Sequence, residues 1–366
     1  MCAALFAVFA FVYLYCYQAD LLTVMQHVFS KGQTHYNHTV GAVVITVVLM
    51  LLQIGVSNLC RKARLASGLT FVPSALVLTM LTDVHFTGAG EFNVGSWNIM
   101  LPLLLCIYAL AVWGSYKTNL SEYLCECIVS PCRRLWVNLA IVFSLMAFVC
   151  LFSNGDKAYH TRIHAEQCLL KQDYDGALDA IGHYDKPDSC LTMLTAYTLS
   201  KKGLLAERLF EYPLAGRSSA LLPGVGNVNL ELLPDSTVYL YLGGWFTQRL
   251  SPKRYFGFLQ RHRMLNKAAT DYLLCSFLLD KNLDAFAENI GKYYAINDSL
   301  PKHYKEALLL YTHLHSTPKL IYNNDVMNAD YQDYQKMEGS YADKRERENE
   351  LRDTYGNTYW FYYQYK

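Results

Sequence analysis

The chain has 366 residues, of which 52% are hydrophobic and 17% are charged, and its formal net charge is +1. A charge balance this close to zero produces no extended positive or negative field, so the composition excludes nucleic acids as partners. Charges are sparse in the first part of the chain and recur every few residues in the rest. We therefore predict a transmembrane helical domain at residues 1–153 and a water-exposed domain at residues 154–366.

Apolar segments of the first domain approach the length of about 20 residues that a helix needs to cross a bilayer. These segments are residues 2–17, 40–58, 65–81, 97–116 and 135–152. The third contains Pro73, which removes a helix hydrogen bond, so a re-entrant segment is the alternative there. A transport function would need polar residues within the spans, and Gln53, Asn58 and Asn138 are the only modest candidates. We predict a bundle of about five spans.

Basic residues between the spans predict the orientation of the bundle, because Lys and Arg are retained on the cytoplasmic side. The second and fourth connections contain Arg61, Lys62, Arg64, Lys117, Arg133 and Arg134. In the alternate connections, residues 18–39 and 82–96, the only Lys or Arg residue is Lys31. This distribution predicts a cytoplasmic N-terminus and a second domain that lies outside the cytoplasm.

The second domain is predicted to be all-helical, because its apolar residues recur at helical spacing. Residues 169–182 (LLKQDYDGALDAIG) and 278–291 (LLDKNLDAFAENIG) align without gaps, and residues 200–213 repeat the same pattern. Each segment is typical of one long helix that ends in a short turn and is followed by an amphipathic helix.

Helical hairpins of this kind resemble tetratricopeptide repeats, in which a small residue of the second helix lets the two helices pack closely. Ala177, Ala206 and Ala285 are the residues that we assign to this role. The prediction for the second domain is therefore an α-solenoid-like, tetratricopeptide-like fold, although no 34-residue period is sustained.

Segments outside the hairpins leave alternatives open. Residues 214–234 are rich in Gly, Pro, Ser and Leu, and such an insertion either packs into a groove, forms a binding loop, or only connects two helices. Residues 355–365 contain a cluster of tyrosines together with Trp360 and Phe361. This aromatic segment is expected to pack back onto the helical domain, and the bilayer interface is the alternative site.

Two segments, KKGLLAERLFEYP at residues 201–213 and YGNTYWFYYQYK at residues 355–366, resemble an uncharacterised family of bacterial inner-membrane proteins. The resemblance implies N-terminal spans joined to an extracytoplasmic helical domain, in the bacterial inner (plasma) membrane. It implies no activity.

His and Cys residues supply the candidates for a metal site. His160 and His164 lie four residues apart, so on a helix their rings share one face and can hold a metal ion. The segment HTRIH lacks the glutamate of a zinc protease, so no general base accompanies the pair. Cys125, Cys127 and Cys132 lie next to basic residues, and reduced, lipid-modified thiols are the alternative to a metal or redox role.

Polar residues in the third inter-span connection supply the other candidate site. Asp83, His85 and Glu91 are predicted to lie at the outer mouth of the bundle, where they would form an acid/base or ligand site. The polarity that any exposed loop needs explains them equally well. The sequence contains no P-loop, no dinucleotide-binding fingerprint and no nucleophile elbow, and we expect no cofactor.

These observations favour a membrane-anchored helical-repeat protein that is not an enzyme and that binds another envelope protein or a peptide outside the cytoplasm. Its other partner is the lipid bilayer. The alternative is a transferase of envelope biogenesis that acts on a lipid-linked substrate, with a site that includes Asp83, His85 and Glu91.

Overall fold

The structure is a computed structural model, and it describes residues 1–60, 67–86, 92–93, 95–118, 131–244 and 250–366. The chain forms two compact units, Met1–His160 and Thr161–Lys366. The predicted domain boundary, after residue 153, lies slightly earlier. The predicted boundary follows from a change in composition along the chain. As the limit of the membrane-embedded region, it stays a prediction.

The N-terminal unit consists almost entirely of helices. Its elements are α1 (Cys2–Val12), a π-helical turn (Tyr13–Tyr17), α2 (Ala19–Ser30), α3 (His38–Cys60), a 3-10 helix (Ser67–Phe71), α4 (Val72–Thr82), α5 (Trp97–Thr118) and α6 (Pro131–Phe152). Between α4 and α5, the two-residue strands β1 (His85–Phe86) and β2 (Phe92–Asn93) pair antiparallel. Helix α7 (Lys157–Leu170) begins in this unit and ends in the next.

Among the described residues, three helices are long and apolar enough to cross a membrane, namely α3, α5 and α6. The first predicted span, residues 2–17, corresponds to α1 with its π-helical turn, and this stretch forms a pair with α2 that is bent by 74°. The number of such helices is therefore three, or four if the bent pair counts as one span. The prediction of five spans is not confirmed.

The described part of the third predicted span, Ser67–Thr82, is an apolar helical stretch shorter than the helices that are long enough to cross a membrane. Pro73 lies in the first turn of α4, where the missing N–H breaks no helix hydrogen bond, so it causes no kink within the helix. The Ser74 hydroxyl donates to the carbonyl oxygen of Leu49 at 2.9 Å and thereby ties α4 to α3.

Polar residues of the spans stabilise the 3-10 helix. The N–H of Gly68 donates to the side chain of Asn138 at 2.9 Å, and the Gln53 amide donates to the Thr70 hydroxyl at 3.0 Å. A Cβ atom at Gly68 would lie 2.9 Å from the carbonyl oxygen of Asn138, so only glycine allows this close approach. Two of the three polar residues considered for transport therefore have a structural role.

The C-terminal unit is built from short helices. After the end of α7, its elements are α8 (Tyr174–Gly182), α9 (Ser189–Lys201), α10 (Leu205–Arg208), two 3-10 helices (Leu209–Glu211 and Arg217–Leu221), α11 (Asp235–Leu242), α12 (Pro252–Arg261), α13 (Lys267–Leu279), α14 (Leu283–Ile290), α15 (Lys302–Leu314), α16 (Asp325–Ser340), α17 (Lys344–Tyr355) and α18 (Tyr359–Tyr365). The all-helical class of the domain is confirmed, whereas a solenoid arrangement is not.

One type of turn ends four of the described helices in this unit. The backbone has a positive φ, between 57° and 72°, at Gln172, Gly203, Arg263 and Lys281. The N–H of the next residue then bonds to the carbonyl oxygen five positions earlier, at 2.8 to 2.9 Å. This left-handed ending satisfies carbonyl groups that the helix leaves unpaired and turns the chain sharply into the next helix.

The two aligned segments share this turn and also the cap that follows it. Asp173 accepts a hydrogen bond from the N–H of Gly176 at 2.9 Å, and Asn282, at the aligned position, accepts from the N–H of Ala285 at 3.0 Å. The internal similarity in sequence is therefore a similarity in local structure. It is the capping side chain of the second helix that repeats.

The small residues assigned to close packing fit only in part. Ala177 and Ala206 are buried, as that role requires, whereas Ala285 is only half-buried. The N–H of Ala285 donates to the capping Asn282 side chain at the start of α14, at 3.0 Å, and the packing role of Ala285 stays a prediction. Ala287 is the buried alanine of this helix.

The segments with open alternatives both pack into the core of the unit. The insertion at residues 214–234 buries Leu221, Leu222, Val228, Leu230, Leu232 and Leu233. The aromatic segment buries Tyr359, Trp360, Phe361 and Tyr362. The insertion therefore does more than connect two helices, and the expectation that the aromatic segment packs back onto the domain is confirmed.

Candidate functional site

The predicted metal pair lies on α7, and its two residues belong to different compact units. His160 Nε2 lies 3.2 Å from the carbonyl oxygen of Asn154, and Nδ1 lies 3.8 Å from the carboxylate of Asp20. This carboxylate raises the pKa of His160, and burial acts in the opposite direction. His164 is exposed. No group of three His, Cys, Asp or Glu side chains that could hold a metal ion occurs among the described residues, and a metal role for the pair stays a prediction.

The predicted outer-loop site is described only in part. Asp83 accepts a hydrogen bond from the Trp97 indole nitrogen at 2.6 Å, which fixes the start of α5. The backbone of His85 pairs with Asn93 in the short hairpin, and Glu91 lies outside the described residues. Of the cysteine cluster, Cys132 is exposed near the start of α6, whereas Cys125 and Cys127 also lie outside the described residues.

A polar network at one end of the N-terminal bundle was not predicted from the sequence. The Asn154 N–H donates to the carbonyl oxygen of Thr82 at 2.8 Å, and its own carbonyl oxygen accepts from Gln18 at 3.2 Å. The Gln18 amide also donates to the Tyr13 hydroxyl at 3.0 Å. The network thus joins the ends of α4 and α6 to the bend between α1 and α2. His160 is part of this network, so its contacts stabilise the bundle.

In the C-terminal unit, Glu166 is a fully buried carboxyl group that holds the insertion in place. It accepts hydrogen bonds from three consecutive main-chain N–H groups, those of residues 231, 232 and 233, at 2.7 to 3.2 Å. Burial raises the pKa of Glu166 to about 7, and the three N–H groups lower it in part. The insertion has no regular secondary structure at this point, and the carboxyl group supplies the acceptors that its main chain needs.

The aromatic segment is held by a buried pair on α15. Glu306 accepts from the main-chain N–H of Tyr359 at 2.7 Å and from His303 Nδ1 at 2.9 Å, and its carbonyl oxygen accepts from the Trp360 indole at 2.9 Å. The Tyr359 and Tyr362 hydroxyls donate to carbonyl oxygens at the end of α13, at 3.1 and 2.9 Å. This arrangement, the α18 lock, seats α18 on α13 and α15.

A further cluster combines the buried residues Tyr304 and Cys275 with the partly buried residues Asp271 and Tyr294. Both tyrosine hydroxyls donate to the Asp271 carboxylate, at 2.6 and 3.1 Å. Burial raises the pKa of Asp271 and of the Cys275 thiol, so the thiol is held in its unreactive, protonated form. Cys275 has no exposed surface. The residue types resemble a catalytic cluster, but here they join α13, α15 and the segment between α14 and α15.

The C-terminal unit also contains grooves that are open to solvent. One groove, of about 800 Å³, separates α8 from the segment Arg208–Pro213, and we call it the α8 groove. Its lining consists of Asp175, Gly176, Leu178, Asp179, Gly182, His183, Arg208, Glu211, Tyr212 and Pro213. Arg208 donates to Glu211 at 2.7 Å, and this carboxylate raises the pKa of the guanidinium. Charges of both signs thus line the α8 groove in pairs.

A second groove, of about 670 Å³, lies between the end of α15 and the start of α16, and we call it the α15–α16 groove. Its lining consists of Thr312, His313, Ile321, Tyr322, Asn323, Asp325, Asn328, Ala329 and Gln332. His313 Nε2 lies 3.2 Å from the Asn328 side-chain oxygen. Uncharged amide and hydroxyl groups predominate here, which suits a ligand that both donates and accepts hydrogen bonds.

Comparison with known proteins gives a match over part of the chain. Residues 245–366, about one third of the chain, match a family described as a family of unknown function (DUF6057). The match includes residues 355–366, which carry one part of the resemblance noted in the sequence, and excludes residues 201–213. No curated protein and no solved structure matches the chain. The C-terminal region is therefore similar to an uncharacterised family, and the match assigns no activity to it.

The α18 lock generates a first prediction. Glu306→Ala leaves the buried N–H of Tyr359 and His303 Nδ1 without their acceptor, so we expect the free energy of opening of α18 to fall by about 3 kcal/mol. Glu306→Gln keeps one acceptor oxygen and should lose only about 1 kcal/mol. Hydrogen exchange of α18 in the full chain measures both values. Glu346→Ala, an exposed glutamate on α17, is the control, and equal losses for both Glu306 variants would contradict the role of the carboxylate.

Glu166 generates a prediction for pH dependence. Its pKa is raised from 4.5 to about 7, so the folded unit retains a proton that the unfolded chain has released. The stabilising contribution is complete below pH 4.5 and is lost as the pH rises through 7, a change of up to about 3 kcal/mol. Hydrogen exchange at residues 231–233, corrected for the intrinsic rate, should show this loss. Glu166→Gln should remove it, and the same pH dependence in both proteins would refute the assignment.

Proposed function

We propose that this protein is a membrane-anchored binding protein of the cell envelope, in which the N-terminal unit inserts into the bilayer and the C-terminal unit binds a partner protein or peptide. The observation that carries the proposal is the α8 groove, because it is open, large enough for several side chains, and bordered by the helical hairpins that the sequence repeats. We further propose that these hairpins form a tetratricopeptide-like, solenoid-like surface.

Insertion into the membrane is supported by the surface of the long apolar helices. The exposed side chains on α3, α5 and α6 include Val47, Leu51, Ile107, Leu110, Leu135 and Phe143. Hydrocarbon tails of lipids are the environment in which such surfaces are stable. The basic connections support a cytoplasmic N-terminus and an extracytoplasmic C-terminal unit, in a bacterial inner membrane.

The state of the ionisable groups supports binding over catalysis. Glu166 and Glu306 are buried and bonded to their own chain, so a substrate does not reach them, and the partly buried Asp271 carboxylate accepts from two tyrosine hydroxyls. Asp83, of the predicted transferase site, accepts a hydrogen bond from the Trp97 indole, and His160, of the predicted metal pair, contacts the carbonyl oxygen of Asn154. No contact among the described residues favours the transferase alternative.

Reporters that work on only one side of the membrane test the orientation. Fusions after Arg64 and Arg134 should report the cytoplasm, and fusions after Gly90 and Lys366 should report the outside, because Lys and Arg hold their connections inside. Each fusion is compared with the others at equal protein level. A cytoplasmic report from Lys366 would place the C-terminal unit inside and remove the envelope from the proposal.

Photocrosslinking in native membranes tests the binding. A photoreactive benzoylphenylalanine in place of Tyr212, on the wall of the α8 groove, should give one discrete adduct with a protein partner. The same residue in place of Tyr341, which does not line this groove, is the matched control. Asp179→Lys should abolish the adduct, because it reverses a charge in the lining. Equal adducts at both positions, or none at Tyr212, would rule out the α8 groove as the binding site.

A further inference from the structure

The α15–α16 groove has one wall in extended conformation. Residues 321–324 lie between the end of α15 and the start of α16 and have no helical structure, and Asn324 has φ −145° and ψ 116°. Side chains alternate along this wall: Ile321 and Asn323 are exposed, whereas Tyr322 is buried. Such alternation is the pattern of a β-strand with one face on the protein.

Hydrogen bonds to Asp298 hold this wall in place. The Tyr322 hydroxyl donates to the Asp298 carboxylate at 3.2 Å, and the Asn324 amide donates to the same oxygen at 2.9 Å. Asn324 also caps α16 by accepting from the N–H of Met327 at 3.1 Å. The wall is therefore fixed before any ligand arrives, which lowers the entropy that binding must overcome.

The main chain of this wall is unpaired. Within the described parts of the chain, the N–H and C=O groups of Ile321, Tyr322 and Asn323 make no hydrogen bond. An extended segment with free main-chain groups is a template for pairing with another strand. A peptide that adds to it gains main-chain hydrogen bonds, and the adjoining groove receives its side chains.

Side chains across the groove match a peptide main chain. Gln332 stands on α16, and its amide offers a donor and an acceptor, as a peptide group does. Asn328, on the same helix, donates to the Asn323 side chain and its oxygen contacts His313, which leaves one N–H and one lone pair of this amide for a ligand. Among the described residues that line the groove there is no Lys or Arg, and Asp325 is the one carboxylate. Tyr322 is only 5% exposed, so its ring face is closed to a sugar.

Exposed aliphatic side chains lie in the groove lining or next to it in the sequence: Ile321 lines the groove, Val326 follows Asp325, and Leu314 follows His313. Ile321 is 70% exposed, Val326 is 71% exposed and Leu314 is 52% exposed. Apolar surface of this extent beside a polar groove is typical of a protein-binding site. The chemistry of the ligand follows from the neighbours: aliphatic side chains contact this patch, and a neutral or basic segment avoids repulsion from Asp325.

We propose that the α15–α16 groove binds an extended peptide segment of a partner protein, neutral or basic and with aliphatic side chains, which pairs as a β-strand with residues 321–323. The inference rests on the proposed function in so far as the C-terminal unit binds a partner. It uses a different groove and different residues from the α8 groove.

The test begins with a phage-displayed library of random twelve-residue peptides, selected against the full chain in lipid nanodiscs. We expect enriched sequences that contain aliphatic residues and lack acidic ones. A synthetic peptide of the enriched sequence is then titrated by fluorescence anisotropy. Gln332→Ala and Asn328→Leu should each weaken binding about tenfold, the effect of roughly one hydrogen bond. Ile321→Lys should abolish it.

Gln335→Ala is the matched control, because Gln335 is an exposed glutamine on the same helix outside the groove, and it should leave the affinity unchanged within about twofold. N-methylation of the peptide, one amide at a time, tests the strand pairing. Loss of binding at every second amide is expected, because alternate amides of a strand face its neighbour. Loss at consecutive amides, or at none, would overturn the proposal.

Two further results would also overturn it: enriched peptides whose binding is unaffected by the groove variants, and glycan binding that Gln332→Ala removes. The two binding proposals fail separately. A crosslinked adduct at Tyr212 without peptide binding at Gln332 removes only the strand-pairing groove. Peptide binding without an adduct at Tyr212 removes only the α8 groove.

Discussion

The packing of the C-terminal unit depends on hydrogen bonds between buried carboxyl groups and main-chain N–H groups. Glu166 pairs with residues 231–233, which have no regular secondary structure, and Glu306 pairs with Tyr359 in the first turn of α18, where the N–H has no acceptor within the helix. A main chain without helix or sheet partners cannot enter an apolar core unless its polar groups are satisfied. The two glutamates meet this requirement, and the aromatic and aliphatic side chains of both segments can then be buried.

The sequence predicted the helical nature of the chain and the strongest spans well, because apolar periodicity is a local property. It did not predict the bend next to Gln18, which depends on Tyr13 and Asn154, and the latter is 136 positions away. It also did not predict the cap of α14, where Asn282 accepts from the N–H of Ala285. Both failures concern polar contacts, which leave no periodic signal in the sequence.

The functional residues were harder to predict than the fold. Asp83 and His160 were selected for their chemistry, and the structure gives them hydrogen bonds within the bundle end. In the sequence, Glu166 and Glu306 cannot be distinguished from the exposed charged residues of a helix. Their partners lie 53 to 67 positions away. The exposed wall at residues 321–323 follows no motif at all. This wall is of interest because its main-chain groups are unpaired, and a sequence does not show which main-chain groups are paired.

The recurring left-handed turn has a consequence for the order in which the C-terminal unit folds. Each turn is closed by a hydrogen bond that spans five positions, so a helical hairpin requires little loss of chain entropy before its first contacts form. The glutamate contacts, in contrast, close loops of more than fifty residues. Hairpins should therefore form early and the long loops close late, so the slow step of folding belongs to the insertion at residues 214–234 and to the docking of α18.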